Sequence, residues 1–149
     1  MYKYVFEPLL NHKKFIEDNI QKDFSIVKGL LNDEKTKLKE IISKKEKTLK
    51  RLLKKQEESI AASENRLYFS YIDRLFKDIK SQKNRVAVAD KEVKKKHEAL
   101  VEAVKKRKIL DKLKEKKRIA YNKKLNKKEH EFYNEVAITT YMRKSDNYE

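Results

Sequence analysis

The sequence predicts an all-α protein in which two long helices form an antiparallel coiled-coil hairpin. Apolar residues recur mostly at steps of three, four or seven, which is the spacing of a helix that packs along another helix. The 149 residues include one Gly and one Pro, too few for the turns of a many-stranded sheet. Charged residues make up 43%, as in surface-rich helices, whereas 38% hydrophobic residues argue against disorder.

The first helix is predicted from about residue 8 to residue 60. Pro8 suits a first helical turn, because its missing N–H would have no intrahelical partner there. Gly29 costs about 1 kcal/mol relative to Ala in a helix, but the apolar pattern continues past it. The apolar stripe consists of Phe6, Leu9, Ile16, Ile20, Phe24, Val27, Leu31, Leu38, Ile41, Leu49, Leu52 and Ile60.

The second helix is predicted from about residue 66 to residue 142, followed by a frayed tail at 143–149. It contains neither Gly nor Pro, so nothing in its sequence interrupts the helical pattern. Its stripe consists of Tyr68, Ile72, Leu75, Ile79, Val86, Val93, Leu100, Val104, Leu110, Leu113, Ala120, Leu125, Phe132 and Val136.

A tight turn at about 61–65 is predicted to join the two helices into a single coiled-coil unit. The segment holds small residues and two common N-cap types, Ser63 and Asn65. Arms of about 50 residues would each be about 75 Å long at 1.5 Å per residue. The hairpin is expected to be a monomer, with a longer second helix that overhangs the first where the chain termini meet.

The alternative is one continuous helix that dimerises in parallel. A parallel dimer favours uninterrupted apolar positions along its seam, the line of contact between the helices. Here Lys13, Lys45, Gln56 and Lys96 lie in or near the seam, more than one register-setting polar residue explains. The hairpin is therefore the favoured prediction.

The residue types do not support a catalytic, cofactor-binding or metal site, so the protein is not expected to be an enzyme. Without Cys there can be no disulfide, thiolate metal site or Cys nucleophile. His12, His97 and His130 lie far apart along the chain, and none belongs to an H-E-x-x-H motif. A single Gly cannot build a phosphate-binding loop. The sequence predicts a protein that acts by contact, without a small-molecule substrate.

Positive charge is concentrated between residues 105 and 128, with 13 Lys and Arg against two acidic residues. Such a run can follow a phosphate backbone, and a basic coiled coil that binds nucleic acid is one alternative. Nucleic-acid grooves favour Arg and aromatic residues, however, and the run is mostly Lys. An acidic protein surface is the favoured partner, with Lys112, Lys116 and Lys123 as the candidate contacts.

Aromatic and apolar residues surround the helix at residues 67–76, more than one seam can bury. Part of this girdle, including Phe69 and Phe76, is expected to be exposed, and exposed apolar patches commonly mark binding sites. Alternatively, Phe69 and Phe76 cap the open end of the helix pair. A second cluster, from Phe132 to Met142, lies on the predicted overhang.

Tyr71 and Leu75 are the candidate binding pair within the girdle. They lie four residues apart and so share one helix face. Ile72 and Ile79 are expected to fill the seam, which would leave the face with Tyr71 and Leu75 partly free for a partner.

Three segments resemble the flagellar FliJ family, so that the resemblance spans the chain. They are Phe6-x-x-Leu9-Leu10-x-x-Lys13-x-x-x-Glu17-Asp18, Asn65-Arg66 with Tyr71-Ile72-x-x-Leu75-x-x-x-Ile79-x-x-Gln82, and Asn134-Glu135-x-Ala137 with Tyr141-Met142-Arg143-Lys144. Two positions depart from the family pattern: Tyr71 stands where Phe is expected, and Asn134 where Asp is expected.

The resemblance implies a non-enzymatic coiled-coil hairpin, similar to the stalk of rotary ATPases, in the flagellar type III protein export apparatus. Its implied partners are the export ATPase hexamer, an export-gate membrane protein and export chaperones, with no nucleic acid. The protein would be cytoplasmic and peripheral to the inner face of the cell membrane. Tyr71 and Leu75 would dock on the gate, and Phe6–Ile20 with about Leu125–Met142 would face the ATPase.

Two alternatives to this function stay open at the level of sequence. One is the equivalent stalk of a virulence type III secretion system, which shares the plan. The other comes from a different class: a basic coiled coil that binds nucleic acid, or one that serves only as a spacer.

Overall fold

The computed structural model describes residues 2–145 and confirms the predicted all-α hairpin. Helix α1 spans Glu7–Glu58 and helix α2 spans Ala62–Ser145, and the two pack against each other. No strand occurs among the residues that the structure describes. The predicted frayed tail begins inside α2, and its residues 146–149 lie outside the described part of the chain.

Contacts group the described residues into two units. One unit is Glu17–Glu102, and the other combines the described parts of Met1–Ile16 and Ala103–Glu149. Both helices contribute to each unit.

In the unit Glu17–Glu102 the helices run antiparallel, because residues late in α1 meet residues early in α2. The Lys96 ammonium lies 3.6 Å from the Asp23 carboxylate, whereas the Lys55 ammonium lies 2.5 Å from Glu64. Leu31 and Leu52 of α1 are buried in this unit, as are residues of α2 spaced at three and four. Those residues are Ile72, Leu75, Ile79 and Gln82.

The connection between the helices consists of residues 59–61, earlier than the predicted 61–65. Ser59 has φ 79°, the left-handed conformation that commonly ends a helix. The Asn65 N–H donates to the Ala61 carbonyl at 3.0 Å, so Ala61 caps the start of α2. The predicted N-cap types, Ser63 and Asn65, therefore lie within its first turns.

Side chains on either side of the connection brace it. The Gln56 amide donates to the Asn65 side-chain oxygen at 3.1 Å. The hydrogen bond from Lys55 to Glu64 raises the pKa of the Lys55 ammonium above its usual value. Both bonds are exposed, so each contributes little to stability by itself.

In the second unit, an extended segment before α1 packs on α2. Tyr4 is buried, and its hydroxyl donates to the Leu110 carbonyl at 3.3 Å. Burial raises the pKa of the Tyr4 hydroxyl above its ordinary value. Glu7 forms an ion pair with Lys114 at 2.7 Å, which ties the first turn of α1 to α2.

The start of the predicted stripe needs correction. Leu10 is only 1% exposed and Tyr4 is also buried, whereas Phe6 and Leu9, the predicted stripe residues, are exposed. The segment before Glu7 is not helical, so helical spacing does not hold for Tyr4 and Phe6. Within α1, Leu10 rather than Leu9 faces the seam. The ring of Tyr2 lies 5.4 Å from that of Tyr121 and extends this contact along α2.

Most of the polar residues predicted in or near the seam are half-buried there. Lys13, Lys45 and Lys96 are of this kind, whereas Gln56 is exposed beside the connection. Their ammonium groups can reach water while the aliphatic stems cover the seam.

Replacing Gly29 by alanine should raise the free energy of unfolding by about 1 kcal/mol. Gly29 is exposed within α1, and a methyl group at this position would meet no atom within 4 Å. Thermal unfolding should therefore show a melting temperature higher by about 2–4 °C. The matched control is Ala87→Gly, at an exposed position inside α2, which should lower stability by a similar amount. A lower melting temperature for Gly29→Ala would contradict the prediction.

Candidate interaction surfaces

Tyr71 and Leu75 do not form the exposed pair that the sequence predicts. Tyr71 is 44% exposed, but Leu75 is only 4% exposed, so the expectation of a partly free leucine is wrong. The cause is the spacing of the seam: Leu75 lies three residues after Ile72 and four before Ile79, which are both buried. Tyr71 stands on the flank of that seam.

Phe69 and Phe76 are both exposed, by 56% and 53%. They lie seven residues apart and so share one flank of α2. The Lys45 ammonium of α1 lies 4.9 Å from the centre of the Phe76 ring, close enough for a cation–π contact. Tyr71 lies on the opposite flank of the seam, and we call these three exposed rings together the aromatic patch.

Gln82 and Glu34 form a polar layer inside the seam, at positions outside the predicted apolar stripes. The buried Gln82 amide donates to the Glu34 backbone carbonyl at 3.0 Å and also to the Glu34 carboxylate. The second bond lowers the pKa of the Glu34 carboxyl. The spacing 72, 75, 79, 82 contains the signal, since it places an amide at a seam position.

Lys112, Lys116 and Lys123 lie exposed on one face of α2. Their spacing of four and seven residues aligns them along the helix. None of the three makes an ion pair within residues 2–145. Other charges of this basic run are already paired: Lys114 with Glu7 and Arg118 with Glu115. The predicted contact residues are therefore available to an acidic partner.

Every side chain of α2 from residue 115 to residue 144 is exposed. Leu110 is half-buried against the segment before α1. Four exposed apolar residues lie further along the same side of the helix. We call these the tail face: Tyr121, Leu125, Phe132 and Val136. At its start lies a shallow hollow of about 250 Å³ lined by Tyr121, Lys124, Leu125 and Lys128.

The described residues hold no group of His, Asp and Glu side chains that could bind a metal ion. The His97 ring lies 5.6 Å from the Phe24 ring, and His12 and His130 are exposed. Neither α1 nor α2, as far as the structure describes them, has an apolar stretch long enough to cross a membrane.

The fold and its surfaces define a helical-hairpin protein with an aromatic patch near the helix connection and a basic, apolar tail. The family model described as Flagellar FliJ protein matches residues 2–146, and the chain belongs to this family. It is therefore a component of the flagellar export apparatus. Proteins of this family are structural or export components and are not known enzymes. The comparisons with curated proteins and with solved structures gave no match.

Proposed function

We propose that the protein is the stalk-like subunit of the flagellar export apparatus. It binds the export ATPase ring, couples the ring to the export gate and escorts export chaperones. Membership of the FliJ family carries this proposal. The hairpin also supports the proposal. Its two long helices carry separate surfaces, far apart in sequence, that can contact different partners.

The ATPase contact is assigned to one region: Phe6–Ile20, about Leu125–Met142, and the three free lysines. The apolar tail face supplies area that a partner can bury, and burial of apolar surface drives most protein association. Lys112, Lys116 and Lys123 add positive charge on the side of α2 away from the tail face. That charge would speed encounter with an acidic ring and favour it over basic surfaces.

The gate contact is assigned to Tyr71, with Leu75 beneath it as support rather than as a second anchor. Tyr71 offers a large amphipathic ring on a helix whose packing holds it in place, so little order is lost on binding. Phe69 and Phe76 extend the apolar surface around the helix. The proposed gate-docking site is therefore centred on Tyr71.

The remaining parts of the proposal depend on the family alone. Escort of empty chaperones and a peripheral position at the inner face of the cell membrane follow from the export role. A virulence type III apparatus is the second candidate setting, because its stalks share the hairpin plan.

Replacing Lys112, Lys116 and Lys123 together by Glu should weaken binding to the purified export ATPase by about tenfold or more. Each change replaces an attractive charge with a repulsive one, and the effect should shrink as salt rises. The measurements are the dissociation constant at low and high salt, and ATP hydrolysis with and without this protein. The wild type is expected to stimulate hydrolysis.

The matched control is Lys47→Glu, Lys50→Glu and Lys54→Glu, three exposed lysines of α1 with the same change in charge. It should leave ATPase binding within about twofold. If both triple variants lose the same ATPase affinity, the contact is general electrostatic attraction and not specific to Lys112, Lys116 and Lys123. Tight binding of duplex DNA at physiological salt, lost in the Lys112, Lys116 and Lys123 variant, would instead favour the nucleic-acid function.

A further inference from the structure

The tail face continues the α1–α2 seam along α2, past the residues that α1 covers. Its first residue, Tyr121, also meets the Tyr2 ring of the segment before α1 on one side. Phe132 lies eleven residues after Tyr121 and Val136 eleven after Leu125, and the same step leads back to Leu110 and Lys114. An eleven-residue repeat keeps a stripe nearly straight along a helix. The tail face is therefore the half of a coiled-coil seam that has no facing helix among the described residues.

The hollow on this face has the geometry of a coiled-coil hole. Its lining residues, Tyr121, Lys124, Leu125 and Lys128, occupy positions i, i+3, i+4 and i+7. A hole in coiled-coil packing is formed by four residues of this spacing and receives one side chain of the facing helix. A volume of about 250 Å³ gives room for a large apolar side chain.

The charges beside the tail face are divided into two blocks of opposite sign. Residues 123–128 hold four Lys and no acidic residue, and residues 129–135 hold three Glu and no Lys or Arg. The border lies between Lys128 and Glu129. A helix that runs the opposite way across this border would present Glu to the Lys block and Lys to the Glu block.

We propose that, when no ATPase is bound, a second copy of this chain covers the tail face, antiparallel and centred on the border between Lys128 and Glu129; the ATPase of the proposed function would then displace this copy. In this register Phe132 of the second copy enters the hollow, Leu125 lies opposite Phe132 and Tyr121 opposite Val136. The two-fold symmetry repeats each contact, which closes the assembly as a dimer. Two hairpins would thus join through the ends of their second helices.

The flanks of the seam specify the antiparallel direction. Lys124, Lys128, Glu131 and Glu135 lie on one flank of the tail face. In an antiparallel coiled coil this flank faces the same flank of the second copy, so Lys124 and Lys128 approach Glu131 and Glu135. A parallel pair would instead set this flank against the opposite flank, which carries Asn122, Asn126, Glu129 and Tyr133 and offers only one carboxylate to the two Lys. The exposed pair of Lys127 with Glu131 within α2, at 3.8 Å, is weak and can rearrange.

The test is sedimentation of the purified full-length chain over a wide concentration range. Wild type should change from monomer to dimer as concentration rises. Lys124→Glu with Lys128→Glu should raise the dimer dissociation constant about tenfold or more, and so should Glu131→Lys with Glu135→Lys. An equimolar mixture of the two variants should form a heterodimer, because an all-acidic flank then faces an all-basic one.

The matched control is Lys50→Glu with Lys54→Glu, an equal change of charge on α1. It should leave the dimer unchanged within about twofold. A wild type that stays monomeric at every concentration would overturn the proposal and leave the tail face to a different protein. The proposed charge pairing would be overturned if the variants dimerise as well as wild type. It would also be overturned if the mixture of the two variants does not recover the dimer. Since the assay contains no ATPase, its result does not depend on the proposed export function.

Cysteine cross-linking tests the register, since the natural chain has no cysteine. Lys128→Cys lies next to the two-fold axis and should form a disulfide between two copies. Leu125→Cys should not cross-link to itself, because the two positions are offset by about 10 Å, beyond disulfide reach. It should cross-link to a chain carrying Phe132→Cys. Self-cross-linking of Leu125→Cys would show a parallel pair and overturn the proposal.

Discussion

Replacing Leu75 by alanine should lower the free energy of unfolding by about 2–5 kcal/mol. Leu75 is buried between Ile72 and Ile79, so truncation removes apolar contact and leaves a cavity that the helices fill only in part. The loss is large for a domain of ordinary stability, which is about 5–15 kcal/mol in total. Urea unfolding followed by circular dichroism would measure it as a lower midpoint.

The control is Leu67→Ala, the same truncation at a position that is 70% exposed on the same helix. It should change stability by less than about 0.5 kcal/mol. If Leu75→Ala is as mild as Leu67→Ala, then Leu75 is not a core residue and the original pairing with Tyr71 regains support.

Replacing Tyr71 by alanine should weaken binding to the export gate by about 30-fold or more while leaving the melting temperature nearly unchanged. The loss corresponds to the roughly 2 kcal/mol that defines an interface hot spot. Little stability should be lost, because almost half of the Tyr71 side chain is already in water. Gate binding and thermal unfolding should be measured on the same preparation.

Tyr133→Ala is the control for an exposed tyrosine outside the aromatic patch, and it should leave gate binding intact. Phe69→Ala should weaken gate binding only if the binding site extends around the helix to the flank that carries Phe69. This variant therefore tests how far the gate contact extends. If gate binding persists in Tyr71→Ala, the docking assignment is wrong. If both tyrosine variants weaken binding equally, the effect is not specific to the patch.

The hairpin could be predicted because a seam of two long helices depends on residue spacing, which the sequence displays directly. The position of the connection could not, because a left-handed Ser59 ends α1 where Gly or Asn is the usual signal. Tyr4 was missed for a related reason: it packs from an extended segment, to which helical spacing does not apply.

The candidate interaction residues, too, could be predicted only in part from the sequence. The exposure of Tyr71 follows from its place beside the seam. Leu75 shares a helix face with Tyr71, but it also completes the step from Ile72 to Ile79 and is therefore buried. Whether a residue lies in the seam depends on the whole series of buried positions, here Ile72, Leu75, Ile79 and Gln82. The three lysines were identified from local charge, yet only the contacts of Lys114 and Arg118 show which charges of that run are already neutralised.

The layer formed by Gln82 and Glu34 has a mechanical consequence. If α2 slid along α1 by one heptad, the Gln82 amide would leave the Glu34 carbonyl and lie buried without an acceptor. An unpaired buried polar group costs about 1–3 kcal/mol, whereas an apolar seam alone would tolerate a heptad shift at lower cost. Within Glu17–Glu102 the two helices are thus locked against longitudinal slip. A push or a twist applied to one of them is passed to the other instead of being lost as sliding.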